Sequence, residues 1–125
     1  MHFSGYEGEW RWPHFTAQRL SCSCCGGLYV DEYSLDRLED LRVTWANPII
    51  LTCGHRCAKN NARVGGVPGS QHLKLAFDCA IPAADQKAFA ALARAKGFTG
   101  IIRYPKRNFV HLDCRKTPYE GEVVS

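Results

Sequence analysis

The chain has 125 residues, 46% of them apolar, which is enough for one domain with a core of its own. Its formal charge of +4 is mixed in sign along the chain, not gathered in the basic stripe of a nucleic-acid binder, and it suits an anionic polymer. No apolar run reaches the roughly eighteen residues of a membrane span, and Met1–Glu9 lacks an apolar signal core, so neither membrane insertion nor Sec export is expected.

Residues 1–14 read as an N-terminal arm. Trp10-Arg11-Trp12-Pro13-His14-Phe15 is aromatic and basic, and such a run is expected to pack over the core, with a substrate platform as the alternative. A first helix is predicted over Ser34–Ala46, capped by Ser34, because Leu35, Leu38, Leu41 and Trp45 recur every three or four residues. Pro48–Thr52 reads as a buried strand. Asn61–Gly69, with three glycines and a proline, reads as a turn-rich loop. Leu75–Ile81 reads as a strand. A second helix follows over Pro82–Lys96, with Pro82 in its first turn, Phe89, Leu92 and Ala93 on its buried face and Gly97 as its stop. Thr99–Tyr104 and Asn108–Cys114 form a hairpin around Pro105-Lys106-Arg107. Residues 116–125 are polar and expected to fray. The sum is a small single α+β domain over residues 1–125: a mostly antiparallel sheet with two main helices and a metal site on the sheet.

Two stretches carry the chemistry. Ser70-Gln71-His72 leads into Ala76-Phe77-Asp78, and Phe109-Val110-His111-Leu112-Asp113 follows later. Two His/Asp pairs are the donor set of a mononuclear zinc hydrolase, which takes three protein ligands and leaves a fourth position for water. In an extended chain His72 and Asp78 would stand roughly 20 Å apart at about 3.3 Å per residue. Both can reach one ion only if the chain turns between them. His72 is therefore assigned to a loop end and Asp78 to a strand. His111 and Asp113 are two apart in a strand, so their side chains share a face. The seven cysteines are an odd count: Cys22, Cys24 and Cys25 sit together, Cys53 and Cys57 sit together, and Cys79 and Cys114 each follow an aspartate. Buried thiols are the expected reading, core packing for Cys79 and Cys114. A second, structural zinc on the Cys22 cluster with Cys53 or Cys57 is the alternative. His2 and His14 read as ordinary histidines.

In this order the segments resemble the zinc D-Ala-D-Ala carboxypeptidases, the peptidoglycan-cutting peptidases of bacteria and many phages. The family pattern is Ser-x-His, then Ala-x-Asp, then His-x-Asp or His-x-His. Gly54-His55-Arg56-Cys57, Asn61-Ala62-Arg63-Val64-Gly65-Gly66 and Gly100-Ile101-Ile102-Arg103-Tyr104-Pro105 also match family segments. The likeness runs from about Phe15 to Arg115. The step from His72 to Asp78 is one residue shorter than is usual in the family, with Lys74 or Leu75 where glycine is expected. Asn108 stands where some relatives carry a catalytic glutamate, and His55 replaces the usual tyrosine.

The resemblance implies zinc held by His72, Asp78 and His111. It implies Arg56 on the substrate carbonyl or carboxylate, with Ser70 and His55 lining the substrate side. Asp113 is assigned as the general base. Orienting His111, or binding the metal itself while His111 handles protons, are its other readings. The implied activity is hydrolysis of peptidoglycan stem peptides by a monomer of the phage or prophage endolysin type. Such a protein is made in the host cytoplasm and released to the wall by a holin-type partner. The alternative is a cell-wall-binding or phage structural module that kept the fold and lost catalysis.

Overall fold

The structure is a computed structural model and describes residues 2–3, 9–22, 27–56, 61–62 and 75–124. Ser70 and His72 lie outside these residues, as do Cys24, Cys25 and Cys57.

The elements in chain order are β1 (His2–Phe3), α1 (Ala17–Leu20), β2 (Tyr29–Val30), α2 (Glu32–Trp45), β3 (Leu51–Cys53) and β4 (Phe77–Ala80). They continue with α3 (Gln86–Ala95), β5 (Gly100–Tyr104), β6 (Phe109–Asp113) and β7 (Tyr119–Glu122). Strands β3 to β7 make a five-stranded sheet in the order β3-β4-β6-β5-β7, antiparallel except where β7 runs parallel to β5. β1 and β2 pair separately. This is the α+β class expected, with α2 and α3 as its two main helices.

Alternation along the strands divides the sheet into two faces. Phe77 and Cys79 of β4, Ile101 of β5, and Val110 and Leu112 of β6 are buried. They share one apolar core with Leu35, Leu38 and Leu41 of α2 and Phe89 and Ala93 of α3. Trp45 meets Phe89 edge-on with ring centroids 5.1 Å apart, and Phe77 meets Phe98 in the same way at 6.2 Å. Each fully buried Leu or Phe contributes about 1.5–3 kcal/mol. Of the N-terminal arm, Trp10 and Trp12 pack against this core, followed by Phe15. Trp12 is buried and its indole N–H donates to Asp36 Oδ1 at 2.9 Å, while Arg11 pairs with Glu32 and Asp36 on α2.

A single buried amide ties α3 to the sheet. Gln86, the first residue of α3, is fully buried, and its Nε2 donates to the carbonyls of Ile81 (3.0 Å), Tyr104 (3.2 Å) and Phe109 (3.3 Å). These carbonyls lie just past β4 and at the facing ends of β5 and β6. Gln86→Leu is therefore expected to lower stability by about 1–3 kcal/mol, because it strips buried carbonyls of their donor. Urea unfolding followed by tryptophan fluorescence checks this.

Beyond shifts of one or two residues at strand and helix ends, the elements differ from the sequence reading as follows. Helix α2 starts at Glu32, not Ser34. Asp31 is its N-cap, and the Ser34 hydroxyl donates back to Asp31 Oδ2 at 2.9 Å. Strand β3 comes later than Pro48–Thr52, because the pairing with β4 begins only at Leu51 and carries a bulge before Cys53. The chain from Pro82 first makes a short 3-10 turn over Ala83–Asp85 and becomes α-helical at Gln86. The polar C-terminal segment is not frayed over Tyr119–Glu122. Its backbone N–H groups at Tyr119 and Val123 donate to Thr99 and Arg103 at 2.9 and 2.8 Å, and Glu120 and Glu122 pair with Arg94 and Arg103. Backbone pairing holds this edge strand without an apolar pattern.

Candidate metal centre

The sheet register does the positioning. On the face turned away from the helices, Asp78 of β4 stands opposite His111 of β6, and Gly100 of β5 stands opposite Asp113. His111 Nε2 lies 2.7 Å from Asp113 Oδ2, as their spacing on one strand predicts. The other ring nitrogen, Nδ1, lies 3.2 Å from Asp78 Oδ1. The imidazole is thus clasped between two carboxylates, and only 8% of the residue is exposed. Burial pushes its pKa down, but the hydrogen bonds to Asp113 and Asp78 outweigh that and hold it above the ordinary histidine value.

Asp113 is anchored from behind. It is 1% exposed. Arg115 grips it with both ends of the guanidinium, Nε to Oδ1 at 2.8 Å and a terminal nitrogen to Oδ2 at 2.5 Å. The Arg115 amide adds a third bond to Oδ1 at 3.1 Å. Burial alone would raise the carboxyl pKa. The bonds from Arg115 and His111 reverse this and hold it far below the usual carboxylate range. Gly100 makes room for the ion pair: a Cβ there would overlap Asp113 Oδ1 and Cγ and come within 2.5 Å of Arg115 Nε.

The donors fit zinc. Two ligands on one tetrahedral zinc, each bonded at about 2.0–2.1 Å, stand about 3.3 Å apart. Asp78 Oδ1 and His111 Nδ1 are 3.2 Å apart. A carboxylate on the far nitrogen of the imidazole is the usual support of a metal-binding histidine, and Asp113 is that carboxylate. The third predicted ligand, His72, lies outside the described residues. Among the described residues, no group of three His, Cys, Asp or Glu side chains gathers as a metal site.

His55 and Arg56 lie just past the end of β3, the strand beside the one that carries Asp78. His55 is buried, its ring stacked on Tyr29 at 6.3 Å, and its amide donates to Leu20 O at 2.9 Å. Both residues line a cavity of about 1000 Å³ together with Arg19, Thr52 and Cys53, and that lining includes none of Asp78, His111 and Asp113. The structure brings Asp78, His111 and Asp113 into one contact group, and His55 and Arg56 follow Cys53, which pairs with Asp78 across the β3–β4 ladder.

Three neighbours of the site were not singled out from sequence. Arg115 and Gly100 are two of them. The third is Tyr104, which stacks on Phe109 with ring centroids 4.1 Å apart at the turn end of the β5–β6 hairpin. Burial, and then the Asp78 charge, raise the Tyr104 hydroxyl pKa. The strand period held a signal for Arg115: positions 111, 113 and 115 are separated by steps of two.

The family model for peptidase M15 matches residues 13–113. The chain belongs to the peptidase M15 family. No curated protein sequence matches it. M15 peptidases are metallopeptidases, generally zinc-dependent, and include the D-Ala-D-Ala carboxypeptidases. The matched span contains Asp78, His111 and Asp113 and stops before Arg115 and β7.

Proposed function

We propose that the chain is a zinc peptidase that hydrolyses amide bonds in peptidoglycan stem peptides, as a carboxypeptidase or an endopeptidase. The observation that carries this reading is the facing pair Asp78 and His111, at zinc-ligand spacing and braced by Asp113 and Arg115, inside a chain of the M15 family. His72, Asp78 and His111 would hold the metal. Zinc, when bound, supplies Lewis acidity and a water that ionises near neutral pH.

The remaining work falls to the chain's own side chains. With zinc bound, His111 would keep its Nε2 proton on Asp113 and offer its Nδ1 lone pair to the metal beside Asp78. Of the roles open to Asp113, the geometry supports orientation of His111. Both its oxygens are already engaged by Arg115 and His111, and its proton affinity is too low for a base poised near neutral pH. Arg56 would bind the substrate carbonyl or carboxylate as a planar double donor. Ser70 and His55 would flank the substrate.

In this reading the protein is an endolysin of phage or prophage type, a monomer made in the cytoplasm, reaching the wall with the help of a holin-type partner. No described helix is long and apolar enough to cross a membrane. A second reading, a wall-binding module without catalysis, draws on the short His72–Asp78 step and on Asn108 in place of glutamate.

Peptidoglycan fragments incubated with the zinc-loaded protein, beside a His72→Ala control, separate the two when read by mass spectrometry. A newly cleaved amide that appears only with the wild type is the expected result, and its position names the bond. Intact fragments with zinc bound would sink the peptidase reading.

A further inference from the structure

The family match ends at Asp113, yet the chain goes on to form β7, a paired strand at the edge of the sheet. Burial does not account for it, because Tyr119, Glu120 and Glu122 are all exposed. Two of these side chains serve the helix side of the sheet. Glu120 and Glu122 stand opposite Ile101 and Arg103 and pair with Arg94 and Arg103. Tyr119 faces the other way.

The register places it. Strand β7 runs parallel to β5 with Tyr119 opposite Gly100 and Gly121 opposite Ile102. Residues opposite each other share a face, so Tyr119 stands on the face that carries Asp78, His111 and Asp113. Its ring lies over Gly121, where a Cβ would come within 2.7 Å of the Tyr119 hydroxyl oxygen. The Arg115 guanidinium carbon is 5.8 Å from the centre of the same ring, inside the roughly 6 Å range of a cation–π contact. That guanidinium is the one that grips Asp113, and Asp113 in turn meets His111 Nε2 at 2.7 Å. The backbone repeats the connection. The Tyr119 amide donates to Thr99 O at 2.9 Å, the Thr99 amide donates to Asp113 O at 3.1 Å, and the Thr99 hydroxyl donates to Arg115 O at 2.6 Å.

We propose that Tyr119 is a positioning residue of the metal centre: its ring holds the Arg115 guanidinium on Asp113, and through Asp113 it fixes His111. Strand β7 is then a working part of the site as well as an edge of the sheet. The inference rests on the zinc-peptidase reading of the Asp78–His111 centre.

Zinc affinity, measured by competition with a chromophoric chelator, reads the effect directly. Tyr119→Val removes the ring but keeps a strand-forming residue, and it is expected to weaken zinc binding about 2- to 5-fold, the scale of an exposed cation–π contact. Tyr119→Phe keeps the ring and should bind zinc as the wild type does. Glu120→Ala breaks the pair with Arg94 on the opposite face of the same strand and should leave the affinity unchanged. Tyr119 is 53% exposed, so these changes leave the core intact, and circular dichroism checks that they do. Equal zinc affinity in wild type and Tyr119→Val would overturn the inference and leave the peptidase reading standing. An equal loss in Glu120→Ala, or no rescue by Tyr119→Phe, would also overturn it, because the ring would then not be what acts. A wild type that takes up no zinc would overturn both the inference and the reading beneath it.

Discussion

Gly100→Ala is expected to abolish measurable hydrolysis and to weaken zinc binding at the Asp78–His111 centre by about 10- to 100-fold, the range seen when the outer support of a metal ligand is lost. The reason is steric and local. Gly100 faces Asp113 across the β5–β6 ladder, and an added methyl would occupy the space of the Asp113 carboxylate and crowd Arg115. The strand cannot retreat, because β5 is bonded on one side to β6 and on the other to β7. Asp113 must therefore turn, and His111 Nε2 loses its acceptor. The rest of the sheet keeps its pairing, so circular dichroism should remain that of the wild type. Zinc titration calorimetry measures the affinity. Unchanged affinity in a folded Gly100→Ala protein would mean that Asp113 does not set the orientation of His111.

The sequence carried this site unevenly. That His111 and Asp113 share a face follows from strand period alone, and their 2.7 Å contact is what that period implies. The meeting of Asp78 with His111 was legible only through the order of the family segments. A strand's own residues do not state which partner it takes or in which register, and a slip by one would send Asp78 to the core face. Gly100 was read as part of a hairpin strand, and nothing in a lone glycine says which side chain needs its space. Strand β7 escaped because Tyr119–Glu122 has no apolar alternation: it is held by backbone bonds and by the pairs Arg94–Glu120 and Arg103–Glu122. The helices were legible because their apolar stripes repeat, and only their ends moved. At Asp31 the difference arose because Ser34, a good cap by type, turns back to Asp31 instead.

Substitution of Asp113 separates its possible roles. Asp113→Ala removes the partner of Arg115 and one of the two acceptors of His111, and loss of one member of a buried pair costs about 3–5 kcal/mol. Asp113→Asn keeps the shape and should be milder. The acid limb of unfolding should change in both. Asp113 titrates lower in the fold than in the unfolded chain, so its contribution is complete above an unfolded aspartate pKa of about 3.9 and is lost as pH falls toward the folded value. His111 has the opposite sign. In the metal-free protein its raised pKa contributes stability below about pH 6.5, and this is lost as pH rises through the folded value. Acid unfolding of the metal-free protein should therefore be steeper in wild type than in Asp113→Asn. Kinetics then distinguish base from support. A lost general base would lower kcat by about 10²- to 10⁴-fold at any zinc concentration. A lost support lowers zinc affinity first, and saturating zinc restores most of the rate. Rescue of Asp113→Asn by zinc is the expected outcome, because a carboxylate held by Arg115 at three points is poorly suited to take up a proton.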